Sequence, residues 1–141
     1  MPEGHTVHRT ANQFNNLFAG QPVDVESPQG RFNGGAKLIS GKTLLEARAI
    51  GKQLFLEFEN DLTLRIHLGI YGKWSFAQLA GELPEPIGQV RARFINSSNF
   101  ADLRGPTVCE LINRNEVLAV EQRLGPDPLN PNPRGQEFRR F

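Results

Sequence analysis

Proline at position 2 with Glu3 beside it places a secondary amine at the start of the chain if Met1 is removed. An α-amino group has a pKa of about 7.7–8.0 against about 10.4 for lysine, so at pH 7 on the order of 10% of it is unprotonated, against less than about 0.1% of a lysine. A helix N-terminus disfavours protonation further, because the positive end of its dipole lies there. Such an amine attacking a sugar C1′ yields an iminium, which acidifies the C2′ proton and permits elimination of the phosphate. Glu3 can shuttle protons at the same centre. While Met1 is retained, Pro2 is a tertiary amide and its nitrogen is not nucleophilic.

Other residues could contribute. In GKQLFLEF, Lys52 follows Gly51 at the start of a strand. In HLGIYG, Gly69 and Gly72 interrupt the β-alternation and can lift Ile70 and Tyr71 out of a sheet, next to His67. Arg104 precedes the glycine of the segment ADLRG. On the residues alone, Lys52 also reads as a solvated strand-end lysine, Ile70–Tyr71 as a buried pair at a turn, and Arg104 as a surface arginine. Metal chemistry has little to draw on. His5 and His8 share a helical face without a third ligand, and Cys109 is the single cysteine, so neither a zinc cluster nor an internal disulfide is expected.

The elements that must position these residues follow from periodicity. Val7, Ala11, Phe14, Leu17 and Phe18 recur at helical spacing and stop before Gly20, and Pro2 and Glu3 suit a first turn. After Gly20 the period becomes two: VDVE, TLLEARAI, QLFLEFE, LTLRIHL and KWSF read as strands, with a tight hairpin at Asn60–Asp61. SPQGRFNGGAKLIS and GELPEPIG read as loops, VRARFI and NFADLRG as further strands, and a short helix is expected within residues 107–123. The expected architecture is α+β and β-rich: a two-layer antiparallel β-sandwich with an N-terminal helix and a second short helix. Residues 1–124 form that domain. LGPDPLNPNPRG marks a boundary, and residues 125–141 read as a linker and the start of a further helical domain, with Phe138 and Phe141 at helical spacing.

Composition narrows the class. A hydrophobic share of 38% without an apolar run near membrane-spanning length predicts a soluble domain with no membrane partner, and no signal peptide is visible, so the cytoplasm is the expected compartment. The net charge of +1 does not by itself announce a nucleic-acid partner. An isolated DNA- or protein-binding module without turnover remains open, as does an N-terminal-proline tautomerase, although the latter begins with a strand where this chain begins with a helix.

MPEG, GKQLFLEF with Lys52, HLGIYG and LGPDPL, in that order across residues 2–129, resemble the formamidopyrimidine-DNA glycosylase and endonuclease VIII family. The resemblance implies a bifunctional DNA glycosylase and AP lyase of bacterial base excision repair, acting on damaged DNA at the nucleoid as a monomer. It makes Pro2 the Schiff-base nucleophile, Glu3 the acid/base of deoxyribose ring opening, and Lys52 the catalytic lysine at the flanking phosphate. It makes His67 a phosphate contact, Ile70 the wedge that fills the vacated stack, Tyr71 its stacking neighbour and Arg104 the reader of the orphaned base. An apolar residue followed by tyrosine in HLGIYG leans towards the endonuclease VIII side. No cofactor is implied for this chain, since the family's zinc finger is expected only beyond LGPDPL. Two positions depart from the pattern: Thr6 stands where the family carries a second glutamate, and Gly105–Pro106 stand where an aromatic wedge is usual.

Overall fold

Val7, Ala11, Phe14 and Phe18 form the buried face of a first helix, α1 (Gly4–Leu17), as their spacing predicts. The structure, a computed structural model, describes residues 4–124. After α1 come β1 (Pro22–Glu26), α2 (Asn33–Ile39), β2 (Lys42–Ile50), β3 (Gln53–Phe58), β4 (Leu62–His67), β5 (Lys73–Gln78), β6 (Val90–Ile95), β7 (Asn99–Arg104), β8 (Val108–Ile112) and α3 (Arg114–Leu124). All strand pairs are antiparallel, in the order β5-β7-β6-β1-β2-β3-β4-β8. The β1–β2 link is only two residue pairs long, Pro22 with Thr43 and Val23 with Lys42. It hinges two four-stranded halves that share one core: Val25, Phe94 and Leu103 from one half cluster with Leu54, Leu56, Leu64 and Ile66 from the other. The fold is thus the β-rich α+β arrangement expected from the alternation.

Helix α1 ties the halves together. Phe14 sits 5.0 Å from Trp74, 5.2 Å from Phe76 and 5.7 Å from Phe94, each edge-on, a geometry that suits the ring quadrupoles. On the other side, Asn15 takes both peptide groups of Ala47: its Nδ2 donates to the carbonyl at 2.9 Å, and its Oδ1 accepts from the amide at 2.8 Å. Gly20 N donates to Leu44 O at 2.7 Å. Later residues of α1 therefore lie against earlier residues of β2. The helix runs opposite to that strand, and its first turn lies towards the Gly51–Lys52 end.

The expected hairpin at Asn60–Asp61 is present, with both residues at positive φ (68° and 60°). One expectation is corrected. The segment read as one long loop between β1 and β2 contains α2, so there are three helices among the described residues, not two. In α2, Ala36 and Ile39 turn inwards, while the ring of Phe32 fills the space above Gly35, where a Cβ would lie 2.3 Å from Cε1. The short helix expected within residues 107–123 is present as α3, which begins at Arg114, and Val108–Ile112 before it are a strand. Strand β8 completes the sheet beside β4, and α3 covers that half's outer face, where Val117 and Val120 pack with Ile50, Phe55 and Ile112. Residues 125–141, with the expected linker and the Phe138–Phe141 pair, lie outside the described residues.

Candidate functional site

Strand pairing brings the candidate residues to one end of the molecule. Ile50 pairs with Gln53 across a two-residue turn made of Gly51 and Lys52, with Gly51 at φ 61°; glycine first in a two-residue loop is what the right-handed twist of a hairpin favours. Gln53 pairs with His67, and His67 pairs with Val108. In the other half, Lys73 and Val90 both pair with Arg104. Two crossings join the halves at this end, Leu68–Gly72 from β4 to β5 and Gly105–Thr107 from β7 to β8. Lys52, His67, Ile70, Tyr71 and Arg104 therefore share one rim. Pro2 and Glu3 lie outside the described residues; α1, which begins at Gly4, directs its first turn to the same end.

The Leu68–Gly72 crossing is a tight turn closed by Gly72 N donating to Leu68 O at 3.0 Å. Both glycines are sterically required. Gly69 has φ 69°, and a Cβ there would overlap Thr107 Oγ1; a Cβ on Gly72 would sit 2.3 Å from Leu68 O. Thr107 N anchors the turn from the second crossing by donating to His67 O at 2.8 Å. Leu68 is buried as the turn's root, whereas Ile70 and Tyr71 are 70% and 85% exposed. Those exposures remove the buried-pair reading. Two apolar bodies held in water on a braced turn are a contact surface, not core.

The rim is cationic. Segments 51–53, 67–73 and 104–108 carry Lys52, Lys73 and Arg104 and no acid. Lys52 is exposed and has no ion-pair partner among the described residues, so its ammonium is available to an anion. Arg104 is anchored instead: its Nε donates to Ile87 O at 2.8 Å and its Nη1 to Ser75 Oγ at 2.9 Å, with Nη2 3.7 Å from Asp102 Oδ2. Among the described residues no group of three His, Cys, Asp or Glu side chains could hold a metal ion.

Beneath Arg104 lies a feature that sequence reading missed. Arg93 and Asp102 pair across β6 and β7 and are 2% and 3% exposed. Arg93 Nε and Nη2 donate to the two carboxylate oxygens at 2.7 and 3.0 Å, Nη1 donates to Pro84 O at 2.6 Å, and the guanidinium lies 5.0 Å from the Phe100 ring centroid. The hydrogen bond to Asp102 raises the Arg93 pKa against the opposing effect of burial. Arg93 and Arg104 thus each grip a carbonyl of the segment 79–89, which lies over the outer face of β6 and β7.

Cys109, in β8, carries a half-buried free thiol packed against the core. Burial pushes its pKa up to about 12, with Arg91 pulling it down and Glu110 adding to the rise. Because the thiolate is the reacting form, an aromatic disulfide reagent at pH 8 should label the folded chain about a hundredfold or more slower than the chain in denaturant. Since the unfolded thiol ionises first, the same shift takes stability away as pH rises from about 8.5 towards the folded value of about 12. Equal labelling rates in both states would show the β4–β8 pairing to be open.

The description Formamidopyrimidine-DNA glycosylase N-terminal domain belongs to the family model that matches residues 1–109. Endonuclease 8 1 of Mycobacterium tuberculosis is 50% identical over 133 residues, 92% of this chain and 49% of that protein. Endonuclease 8 of Escherichia coli is 28% identical over 135 residues, 94% of this chain and 51% of that protein. The chain therefore spans about half the length of the curated relatives it matches. Among solved structures, MutM in complex with carbocyclic 8-oxo-G containing DNA shares the fold at a TM-score of 0.71, with 23% identity over 86% of this chain and 49% of that one. Lactococcus lactis Fpg non-covalently bound to DNA containing an AP site does so at 0.72, with 22% identity over 89% and 51%. With the Lys52 turn and the braced HLGIYG crossing at one rim, and a family match over residues 1–109, the chain belongs to the formamidopyrimidine-DNA glycosylase family, on its endonuclease VIII side.

Proposed function

We propose that this chain carries the catalytic and lesion-contacting half of a bifunctional DNA glycosylase and AP lyase that removes oxidised bases in bacterial base excision repair, working as a monomer at the nucleoid. The observation that carries the reading is the rim: the exposed Lys52 and Lys73, a projecting Ile70–Tyr71 turn and the first turn of α1 at the same end. In the proposed reaction the Pro2 amine bonds to C1′ as the damaged base departs with a proton. Glu3 protonates O4′, the ring opens, and the iminium forms. Loss of the C2′ proton then expels the 3′ phosphate, and water releases the sugar from Pro2.

The other residues serve positioning. Lys52 and His67 hold phosphates beside the extruded nucleotide. Ile70 enters the vacated stack with Tyr71 against the neighbouring base, restoring part of the few kcal/mol that extrusion costs. The test is borohydride trapping on abasic-site duplex, with intact mass measured on the same protein. Met1-free chain should form a reduced adduct that maps to the N-terminal peptide. Met1-free chain that binds the duplex yet forms no adduct would overturn the lyase and leave a binding module.

A further inference from the structure

The Arg104 guanidinium is held in place by the protein itself. Nε donates to Ile87 O at 2.8 Å, Nη1 donates to Ser75 Oγ at 2.9 Å, and Nη2 lies 3.7 Å from Asp102 Oδ2. A guanidinium has five N–H donors in one plane, so the two hydrogen bonds leave three, one of which is turned towards Asp102 at ion-pair distance and two of which are spare. Ser75 and Asp102 face each other across β5 and β7, and Arg104 is two residues along from Asp102, so all three occupy the outer face of this half. Gly105, the next residue, passes beneath Tyr71: a Cβ there would lie 2.9 Å from Tyr71 O. The two spare donors consequently belong to a side chain that flanks the Ile70–Tyr71 turn.

Ser75 has no other visible task. It is exposed on the edge strand β5, between the half-buried Trp74 and Phe76, and Arg104 is the hydrogen-bond partner of its hydroxyl among the described residues. We propose that Ser75 is a positioning residue for DNA binding: it locks the Arg104 side chain so that the two spare N–H groups meet a pair of DNA acceptors. A preset guanidinium loses less side-chain freedom on binding than one that must be immobilised by the ligand. The acceptors are the shared chemistry of a base edge and of a phosphate. The inference rests on Arg104 being a DNA contact.

The test is fluorescence anisotropy with the full chain on duplexes holding a stable abasic analogue, with each of the four bases opposite, over a salt series. Loss of a charge-assisted contact should make Arg104→Ala bind about tenfold to thirtyfold more weakly, and Ser75→Ala about threefold to tenfold. Ser75→Thr, which keeps the hydroxyl, should bind like the parent, and Ser75→Ala should add nothing in an Arg104→Ala background. Losses that vary with the opposite base assign the acceptors to that base. Uniform losses with the salt slope reduced by about one assign them to a phosphate. Parental binding by Ser75→Ala beside weak binding by Arg104→Ala overturns the positioning role alone, as do additive losses in the double variant. Parental binding by Arg104→Ala overturns the DNA contact and this inference together.

Discussion

Replacing Arg93 with leucine should be the most destabilising single change on the outer face of β6 and β7, lowering unfolding free energy by about 3–5 kcal/mol, the usual cost of leaving a buried charge without its partner. Asp102 is 3% exposed, so its carboxylate cannot turn to water when Arg93 is lost. Arg104 Nη2 at 3.7 Å offers partial relief, which places the expectation towards the lower end. The Pro84 carbonyl loses its donor in the same step, releasing one of the two grips on segment 79–89. Removing both charges tests the cause. An Arg93→Leu/Asp102→Leu chain should be more stable than Arg93→Leu alone, since well-packed apolar residues can replace a buried ion pair with little loss. Urea denaturation supplies the comparison through the midpoint at unchanged slope. A double variant less stable than either single one would mean that the site depends on shape, not on the charge left behind.

That pair also marks where sequence reading stops. Arg93 and Asp102 are charged residues in strands, which ordinarily signals solvent, and their pairing depends on a β6–β7 register that shifts between Val90 and Ala92. No local pattern encodes that register, nor the return of segment 79–89 that buries the pair. Leu54 and Leu56 revealed their face by alternation, but Phe55 sits out of phase because α3 covers the other side of β3. The strand over 108–112 was masked by the helical residues that follow it. In α2, Gly34 and Gly35 argue against a helix, and only the apolar series Phe32, Ala36 and Ile39 could have revealed one. The rim was more legible, because the Gly69–Gly72 bracket imposes its projection locally. Arg104 was visible as a candidate, whereas its anchors Ser75 and Ile87 come from separate strands and a loop that only the fold brings together.

Protein that keeps Met1 should lose most of its borohydride trapping on abasic DNA relative to Met1-free protein from the same sequence, because the amide at Pro2 has no lone pair to give, the terminal amine then sits on Met1, one residue removed from its place beside Glu3, and an ordinary lysine is less than about 0.1% unprotonated at pH 7. The competitor is Lys52, the exposed amine already at the rim. A lysine there is placed to hold a phosphate. Its carbon stem starts from a two-residue turn whose position is fixed by the Ile50–Gln53 pairing. Lys52→Ala in Met1-free protein should therefore weaken trapping by about tenfold through poorer phosphate contact while leaving the adduct on the N-terminal peptide. Lys52→Arg should restore binding, since it keeps the cation. Production under methionine aminopeptidase inhibition gives the Met1 form, and intact mass establishes its purity. Undiminished trapping by that form, lost only on Lys52→Ala, would transfer the nucleophile from Pro2 to Lys52.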